Sequence, residues 1–396
     1  MLGTQVVQNG TDILTGRPQT GTPPTAGPHV DRDVTAAVEQ VLGRYVRERV
    51  HEASRVDARF AADVAEQLAQ FVIRGGKRLR AGFLWWGRRA AGGATDGEEA
   101  DAALRLGAAI ELLQGCALVH DDVMDESPVR RGAPAVHAAF AQAHTTQGMR
   151  GSSAAFGTAA AILAGDLALS WADDLMTSTA LMSPQGPRVH REWQAMRTEL
   201  VAGQYLDMHA QATGSSSVVE AVRIAGLKSA LYTVERPLAL GAALAGADER
   251  TTDALRSAGR CAGIAFQLRD DLVGAFGDPA CTGKPSGDDL REGKATYLRA
   301  VAVRLAAHGG GTDVADALNP SGERRSLTDD EVDRLRQAIE STGAPAVVEE
   351  KIHRLVELSV RHLESLDSEP HVVDELTRLV GRAAGVQPNH RTGERA

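Results

Sequence analysis

Three aspartates in the first third of the chain stand at a spacing that lines one face of a helix. Asp121 and Asp125 are four residues apart, and Gln114 lies seven residues before Asp121. In an α-helix these side chains project from the same face, with Asp122 beside them. Like charges so close destabilise a helix unless cations compensate them, and carboxylate oxygens suit Mg²⁺. The motif indicates a Mg²⁺ site, and a solvated acidic helix end is its alternative.

A second acidic stripe follows later in the chain. Gln267 stands three residues before Asp270, and Asp271 comes next, all within an apolar segment. If the two helices face each other across a bundle, their carboxylates converge on one cavity and can hold metal ions between them. The repeated pattern favours the metal site over the solvated helix end.

Cationic clusters accompany the first stripe. Lys77 and Arg80 are three residues apart, a spacing that would place them on one helical face. Arg130 and Arg131 follow the first stripe directly. One guanidinium group can donate two hydrogen bonds to the oxygens of a phosphate. These clusters could therefore hold a diphosphate beside the metal site. Either cluster alone is more often solvated loop charge. Weaker single signals are Gln204, Asp207, Lys228, Lys284 and Lys294.

Long helices must position these residues. No proline lies between Pro28 and Pro128, and the intervening sequence is rich in Ala, Leu, Glu and Arg. Because strand-like alternation is scarce, we predict an all-α fold. The segments with helical spacing are 34–72, 101–127, 154–180, 188–212, 217–245, 252–276, 329–341 and 345–381.

We expect one domain over residues 34–385. Residues 1–33 have the composition of a flexible leader, and 386–396 form a short tail. The Gly- and Pro-rich breaks inside the domain are too short to be linkers. Residues 277–294 have the composition of a flap that closes over bound phosphates.

Composition excludes several classes of protein. The 396 residues are 43% hydrophobic and 24% charged, which is ordinary for a globular chain. A formal net charge of -9 gives no general attraction to nucleic acid. No apolar run reaches the roughly 18 residues of a membrane span, so we expect no stable membrane insertion. Three cysteines and an N-terminus without a secretory pattern predict a cytoplasmic location.

Over about residues 35–385 the chain resembles the trans-isoprenyl diphosphate synthases, or polyprenyl synthetases, and among them most of all the bacterial geranylgeranyl diphosphate synthases. The matching motifs, in order, are Gly76-Lys77-Arg78-Leu79-Arg80, Asp121-Asp122-Val123-Met124-Asp125, Arg130-Arg131-Gly132, Gly203-Gln204 with Asp207, Lys228-Ser229, Phe266-Gln267 with Asp270-Asp271, and Gly283-Lys284-Pro285.

The resemblance implies a bundle of long helices around a central cavity, usually a homodimer. It implies an enzyme that joins isopentenyl diphosphate to an allylic diphosphate (dimethylallyl, geranyl or farnesyl) with about three Mg²⁺ ions. Asp121, Asp122 and Asp125 would bind two ions, and Asp270 with Asp271 the third. The residues implied for the allylic diphosphate are Arg130, Lys228, Ser229, Gln267 and Lys284. Those implied for isopentenyl diphosphate are Lys77, Arg80, Gln114 and Arg131.

The implied reaction explains the residue types. Breaking a carbon–oxygen bond requires the departing diphosphate to be neutralised, and Mg²⁺, Lys and Arg do this electrostatically. We therefore expect Lys228, like the aspartates, to be a catalytic residue. The allylic cation left behind is attacked by the double bond of isopentenyl diphosphate. The released diphosphate is then the best placed base for the lost proton, and water must be kept out.

Three positions depart from the commonest family pattern. Position 114 is Gln where many members have His, and Gln can still donate to a phosphate oxygen. Gly274 stands where a third Asp is often found, so the third metal depends on Asp270 and Asp271, with Asp278 as an added candidate. Lys228 is followed by Ser rather than the usual Thr.

Small residues precede the first acidic motif. Cys116 and Ala117 lie five and four residues before Asp121, where farnesyl-type members often carry aromatic rings. A C15 tail should pass them, so we predict the C20 product geranylgeranyl diphosphate. Farnesyl diphosphate or a longer product stays open, because Leu113 or a neighbouring helix could set the floor of the cavity. Cys116 could equally be a small packing residue.

Three other functions are alternative interpretations of these motifs. A class I terpene cyclase usually has Asn/Asp-x-x-Ser/Thr-x-x-x-Glu as its second metal motif, which Asp270-Asp271 does not match. A metal phosphohydrolase would need further ligands beside His120 and Asp121. A non-catalytic regulatory subunit of a heteromeric synthase would lose metal ligands, whereas both aspartate pairs are intact here.

Overall fold

The computed structural model describes residues 30–277, 287–309, 314, 318 and 327–387, and these are almost entirely helical. The α-helices are α1 (Val34–Val56), α2 (Ala58–Phe60), α3 (Glu66–Ile73), α4 (Leu79–Ala90), α5 (Glu98–Met124), α6 (Val136–Thr146), α7 (Ser153–Leu181), α8 (Gly186–Thr213), α9 (Val218–Ile224), α10 (Arg236–Leu244), α11 (Glu249–Phe276), α12 (Asp288–Arg291), α13 (Tyr297–Gly309), α14 (Asp329–Ser341), α15 (Ala344–Glu364) and α16 (Pro370–Ala384). Within these residues the strands are β1 (Val129–Arg130) and β2 (Ala133–Pro134), an antiparallel pair. The all-α prediction is confirmed.

Two π-helical segments join neighbouring helices. Ala61–Ala65 connects α2 to α3, and Ala225–Glu235 connects α9 to α10. The second segment makes 218–244 one continuous helical run, as the sequence predicts for 217–245. A π-helical stretch widens the helix and often marks a functional site. Here it contains Lys228 and Ser229, two of the expected site residues.

Local signals explain where the other predicted helices divide. Asp57 has extended backbone and its side chain accepts a hydrogen bond from the Phe60 amide, so the segment 34–72 is interrupted there. Pro370 starts α16 and separates it from α15, which divides the segment 345–381. The helices α4, α6 and α13 have no counterpart among the predicted segments.

The helix α5 runs through the middle of the bundle. It packs against α7, α4 and α1, and its residues are mostly buried. Acidic side chains in its first turn, among them Glu98 and Asp101, favour the start of a helix. The helix α11 packs against α15 and the π-helical segment. Residues from the carboxyl-terminal halves of α5 and α11 line the same cavity.

The packed chain begins slightly before the expected domain boundary. Val30–Arg32 form a 3₁₀ turn, Val30 is buried, and Asp31 Oδ1 accepts a hydrogen bond from the indole of Trp85 at 2.8 Å. The last residues of the expected leader therefore contact α4. Residues 1–29 and 388–396, the rest of the leader and most of the tail, lie outside the described residues.

Two helices are long and apolar enough to cross a membrane by length and mean hydropathy alone. These are α5 and α7. The apolar window of α5 is 78% buried inside the bundle, whereas that of α7 is 33% buried. The core helix of a soluble protein meets the same criteria, so the apolar character of α5 is explained by its burial in the bundle. The exposed face of α7 needs another explanation.

Candidate active site

The bundle encloses a cavity of about 320 Å³ between α5, α8, α11 and the π-helical segment. Most of the site residues expected from the sequence line it. They are Arg80, Gln114, Ala117, Asp121, Arg130, Lys228, Ser229, Gln267, Asp270 and Asp271. Residues as far apart in the sequence as Arg80 and Asp271 thus surround one space.

The first acidic pole, formed by Asp121, Asp122 and Asp125 at the end of α5, is surrounded by cations. Asp121 accepts hydrogen bonds from the Lys228 ammonium at 3.1 Å and from Gln204 Nε2 at 3.1 Å. Asp122 is fully buried and accepts one from Arg130 Nε at 2.7 Å. Burial alone would raise the pKa of Asp121, but Lys228, Lys294 and Arg130 hold that pKa well below its usual range.

The second acidic pole, formed by Asp270 and Asp271 on α11, has fewer compensating charges. Asp271 accepts hydrogen bonds from Gln267 Nε2 at 2.8 Å and from the backbone N–H of Tyr297 at 3.2 Å. Burial, together with the carboxylates of Asp289 and Asp270, raises the pKa of Asp271 to about 8. A bound divalent cation would reverse this effect by stabilising the ionised form.

Two lysines connect the acidic groups of different elements. Lys228 also lies 2.7 Å from Asp207 Oδ2 on α8. Lys294, which follows α12, lies 3.0 Å from Asp125 Oδ2 and 2.9 Å from Glu292 Oε2. Although burial lowers the pKa of Lys294, its carboxylate neighbours raise that pKa well above the usual value. Both ammonium groups are therefore charged and held inside the site.

A close helix contact fixes the position of Lys228. A Cβ added to Gly203 on α8 would overlap the backbone of Lys228. The glycine therefore lets α8 approach the π-helical segment, which places Gln204 and Lys228 on the same carboxylate. This contact explains why a glycine precedes Gln204 in the motif.

The residues expected to bind isopentenyl diphosphate divide into two groups. Arg80 and Gln114 line the cavity. Arg80 donates to Thr233 Oγ1 at 2.9 Å, and its guanidinium lies 4.5 Å from the centre of the Tyr232 ring. Gln114 Oε1 and the Tyr232 hydroxyl are buried without a hydrogen-bond partner among the described residues. Such atoms indicate a place for a polar ligand or for water.

The other two lie outside the cavity wall. Lys77 is exposed and precedes α4, because Arg78 adopts a left-handed conformation and α4 begins only at Leu79. The expectation that Lys77 and Arg80 share a helical face is therefore wrong. Arg131 is exposed and donates to the Gly75 carbonyl at 2.6 Å. Lys284 and Asp278 lie outside the described residues, as does half of the expected flap 277–294.

The three expected chain-length residues have different surroundings. Ala117 lines the cavity. Cys116 is buried, its sulfur lies 3.7 Å from His120 Nδ1, and burial raises the pKa of its thiol to about 12. Leu113 belongs to the buried core. Several other wall residues were not singled out as site residues from the sequence: Leu200, Ile224, Tyr232, Asp289, Thr296 and Tyr297.

The donor set suits a hard divalent cation, since it consists of carboxylate oxygens. Among the described residues, however, no three His, Cys, Asp or Glu side chains converge on one point. Lys228, Arg130 and Lys294 stand between the carboxylates instead. The residues fit Mg²⁺ in chemistry, and metal binding requires these cations to move toward an added anion.

Comparisons with known proteins agree with this arrangement. The polyprenyl synthetase family model matches residues 62–335. The geranylfarnesyl diphosphate synthase of Aeropyrum pernix is 32% identical over 72% of this chain and 81% of its own length. The geranylgeranyl diphosphate synthase of Mycobacterium tuberculosis is 31% identical over 78% of this chain and 80% of its own.

A solved structure shares most of the fold. It is the geranylgeranyl pyrophosphate synthase of Corynebacterium glutamicum, complexed with isoprenyl diphosphate and magnesium. Its TM-score is 0.82 at 37% identity, covering 88% of this chain and 99% of that one. By sequence and by structure, this chain belongs to the polyprenyl synthetase family and is a trans-prenyltransferase.

Proposed function

We propose that this protein condenses isopentenyl diphosphate with allylic diphosphates and that its main product is the C20 compound geranylgeranyl diphosphate. The observation that carries the proposal is one cavity lined by Asp121 of the first acidic pole and by Asp270 and Asp271 of the second, with lysine and arginine side chains paired to the first pole. The similar relatives are named for C15, C20 and C25 products, a range that includes the proposed C20 product. The small Ala117 in the wall supports a product longer than C15.

We assign magnesium to the two acidic poles. Asp121, Asp122 and Asp125 would hold two ions, and Asp270 with Asp271 would hold a third. When bound, Mg²⁺ neutralises the negative charge that develops on a departing diphosphate. The magnesium and isoprenyl diphosphate in the Corynebacterium glutamicum structure support this assignment.

The protein's own cations would complete the binding of the allylic diphosphate. Arg130 and Lys228 now neutralise aspartates, and they can turn to phosphate oxygens once metal ions take over those carboxylates. Gln267 and Ser229 line the same wall and can donate to phosphate. Lys284 is assigned to the same diphosphate by resemblance.

Isopentenyl diphosphate would bind on the side of Arg80 and Gln114. Gln114 Oε1 has no hydrogen-bond partner among the described residues, so no contact there fixes the orientation of the amide, and its Nε2 can donate to a phosphate oxygen. Lys77 and Arg131 flank the Gly75-Gly76 turn and would add positive charge at the entrance. Leu200, Ile224 and Phe266 form an apolar wall that excludes water from an allylic cation.

A homodimer would cover apolar side chains that this chain leaves exposed. Leu163 on α7 is 62% exposed, and Val201 and Tyr205 on α8 are 69% and 65% exposed. Large exposed apolar side chains on neighbouring helices are typical of protein interfaces. This face of α7 therefore supports a dimer rather than insertion into a membrane. The cytoplasmic location stays a prediction from the cysteine content.

The proposal is tested by product analysis. Purified protein is incubated with isopentenyl diphosphate, Mg²⁺ and, in separate reactions, C5, C10 or C15 allylic diphosphates, and the dephosphorylated products are analysed by mass spectrometry. A C20 alcohol is the expected main product. A C15 or C25 alcohol would revise the chain length, a cyclic hydrocarbon would indicate a terpene cyclase, and no turnover would indicate a regulatory subunit.

One pair of variants links the product to the first acidic pole. Asp121→Ala should lower turnover by at least about 1,000-fold, because it removes a carboxylate on which two cationic side chains converge. Asp253→Ala is the matched control, since Asp253 is exposed on α11. Retained activity in Asp121→Ala would overturn the metal assignment.

A further inference from the structure

Arg78 is buried at a backbone position that favours glycine. Its φ is 46°, in the left-handed region, and the residue is 4% exposed. An arginine is more strained there than a glycine, because its Cβ crowds the main chain. Gly75 and Gly76, which stand before it, also have positive φ. The chain therefore carries a large charged side chain where the backbone alone would favour a third glycine.

The guanidinium of Arg78 connects three elements around the loop of residues 74–77. Its Nη1 donates to Glu111 Oε2 on α5 at 2.9 Å. Its Nη2 donates to the carbonyl oxygens of Val72 and Ile73 at 3.0 and 3.3 Å. Those carbonyls belong to the last turn of α3, where a helix leaves them without an acceptor role of its own. Since α4 begins directly after Arg78, this one residue holds both ends of the loop.

The partner Glu111 is a buried carboxylate beside the side of the cavity proposed for isopentenyl diphosphate. It is 5% exposed and lies three residues before Gln114 on α5. Residues three apart share a helical face, so Arg78 is paired with the face of α5 that also carries Gln114 into the cavity wall. Burying either charge without the other is costly, so each side chain fixes the place of its partner.

The loop held by Arg78 positions two of the cations assigned to isopentenyl diphosphate. Lys77 is the last residue of the loop and is exposed. The Gly75 carbonyl accepts a hydrogen bond from Arg131 Nη1 at 2.6 Å. A Cβ built on Gly76 would lie 3.3 Å from Arg131 Nη2 and 3.8 Å from Arg78 Nη1, so both guanidinium groups lie close to that glycine. A shift of the loop would therefore displace Lys77 and Arg131 together.

We propose that Arg78, held by Glu111, is a positioning residue for isopentenyl diphosphate. Arg78 is not among the residues that line the cavity, and it acts by holding the loop 74–77 so that Lys77 and Arg131 can bind the diphosphate. The inference depends on the proposed function, because it takes the place of isopentenyl diphosphate from there. The allylic diphosphate is assigned to other residues, so its binding should not depend on this loop.

Steady-state kinetics tests this role, with geranyl diphosphate in excess so that the first condensation dominates the initial rate. Arg78→Met removes the guanidinium, and the KM for isopentenyl diphosphate should rise at least about tenfold. The KM for geranyl diphosphate and kcat should stay within about twofold, because a loss of ground-state binding to one substrate changes that KM alone. Glu111→Gln keeps the shape of the side chain and removes its charge, so it should raise the same KM by about threefold.

A second buried arginine provides the matched control. Arg88 on α4 is fully buried and donates to Glu99 Oε1 on α5 at 2.9 Å, and neither residue lines the cavity. Arg88→Met and Glu99→Gln thus break a similar pair that does not contact the loop. They should lower the unfolding temperature and leave the KM for isopentenyl diphosphate unchanged. Thermal unfolding of all four variants compares their losses of stability.

The outcomes separate this inference from the proposed function. An unaltered protein that does not extend geranyl diphosphate overturns both. If the unaltered protein is active, an unchanged KM for isopentenyl diphosphate in Arg78→Met and Glu111→Gln, or an equal rise in the KM of both substrates, overturns the positioning role alone. A similar rise in Arg88→Met shows that any loss of packing is sufficient, which also overturns it. Should Arg78→Met not fold, the KM values of Glu111→Gln decide the question.

Discussion

Lys294 Nζ lies 3.0 Å from Asp125 Oδ2, so the turn after α12 is joined to the end of α5 beside the cavity. The same ammonium contacts Glu292 and Asp289. Three carboxylates from two parts of the chain thus share one cation. This lysine supplies Asp125 with the positive charge that the proposed metal ions would bring, so lysine and metal would compete for that carboxylate.

Removing the Lys294 charge should separate metal affinity from turnover. In Lys294→Met, Asp125 loses its cationic partner, so Mn²⁺ should bind several-fold more tightly in the absence of diphosphate. Turnover should fall by about 100-fold, because one cation fewer stabilises the departing diphosphate. Mn²⁺ titration and product assays measure the two effects. Weaker metal binding together with unchanged turnover would contradict the competition between lysine and metal.

The sequence predicts the acidic poles well because their spacing is local. Asp121 and Asp125 are four apart on one helix, and the helical period alone places them together. Asp289 and Tyr232 could not be found this way, since each reaches the cavity from another element. The prediction that Lys77 shares a helical face with Arg80 was wrong for a local reason: Arg78 has a left-handed backbone conformation, and α4 begins only after it. Spacing predicts faces of helices, and packing decides which faces meet.

The structure separates two neighbouring chain-length candidates. Ala117 borders the cavity, whereas the Cys116 sulfur lies near His120. Ala117→Phe should therefore shift the main product from C20 to C15, because the ring would fill space needed by the growing tail. Cys116→Phe should mainly lower stability, by about 1–3 kcal/mol, through overpacking. Mass analysis of the products and urea unfolding distinguish the two. A shorter product only from Cys116→Phe would place the floor of the cavity on the other side of α5.

The raised pKa of Asp271 predicts how the metal-free protein responds to pH. With a pKa of about 8, the folded protein holds a proton on Asp271 that the unfolded chain releases near pH 4. Between these values the folded state binds more protons, so the free energy of unfolding falls as pH rises. The loss between pH 6 and 8 should be about 2 kcal/mol.

Asp271→Asn provides the comparison for this pH effect. Asparagine does not titrate, so the difference in unfolding free energy between the two proteins should change by that amount over the same interval. Urea unfolding in EDTA at both pH values measures it. A difference that stays constant from pH 6 to 8 would mean that Asp271 is already ionised at pH 6.

The exposed face of α7 predicts that assembly can be disrupted by a single charge. Leu163→Glu would place a carboxylate in an apolar interface, where it costs several kcal/mol if no cation pairs with it. We expect the dimer to weaken by at least 100-fold, as measured by light scattering coupled to gel filtration. Val56→Glu is the matched control, because Val56 is 81% exposed at the end of α1. Since the proposed dimer would bury apolar side chains near the cavity helix α8, the unfolding temperature should fall with dissociation in Leu163→Glu alone. A Leu163→Glu protein that stays dimeric would move the interface away from this face of α7.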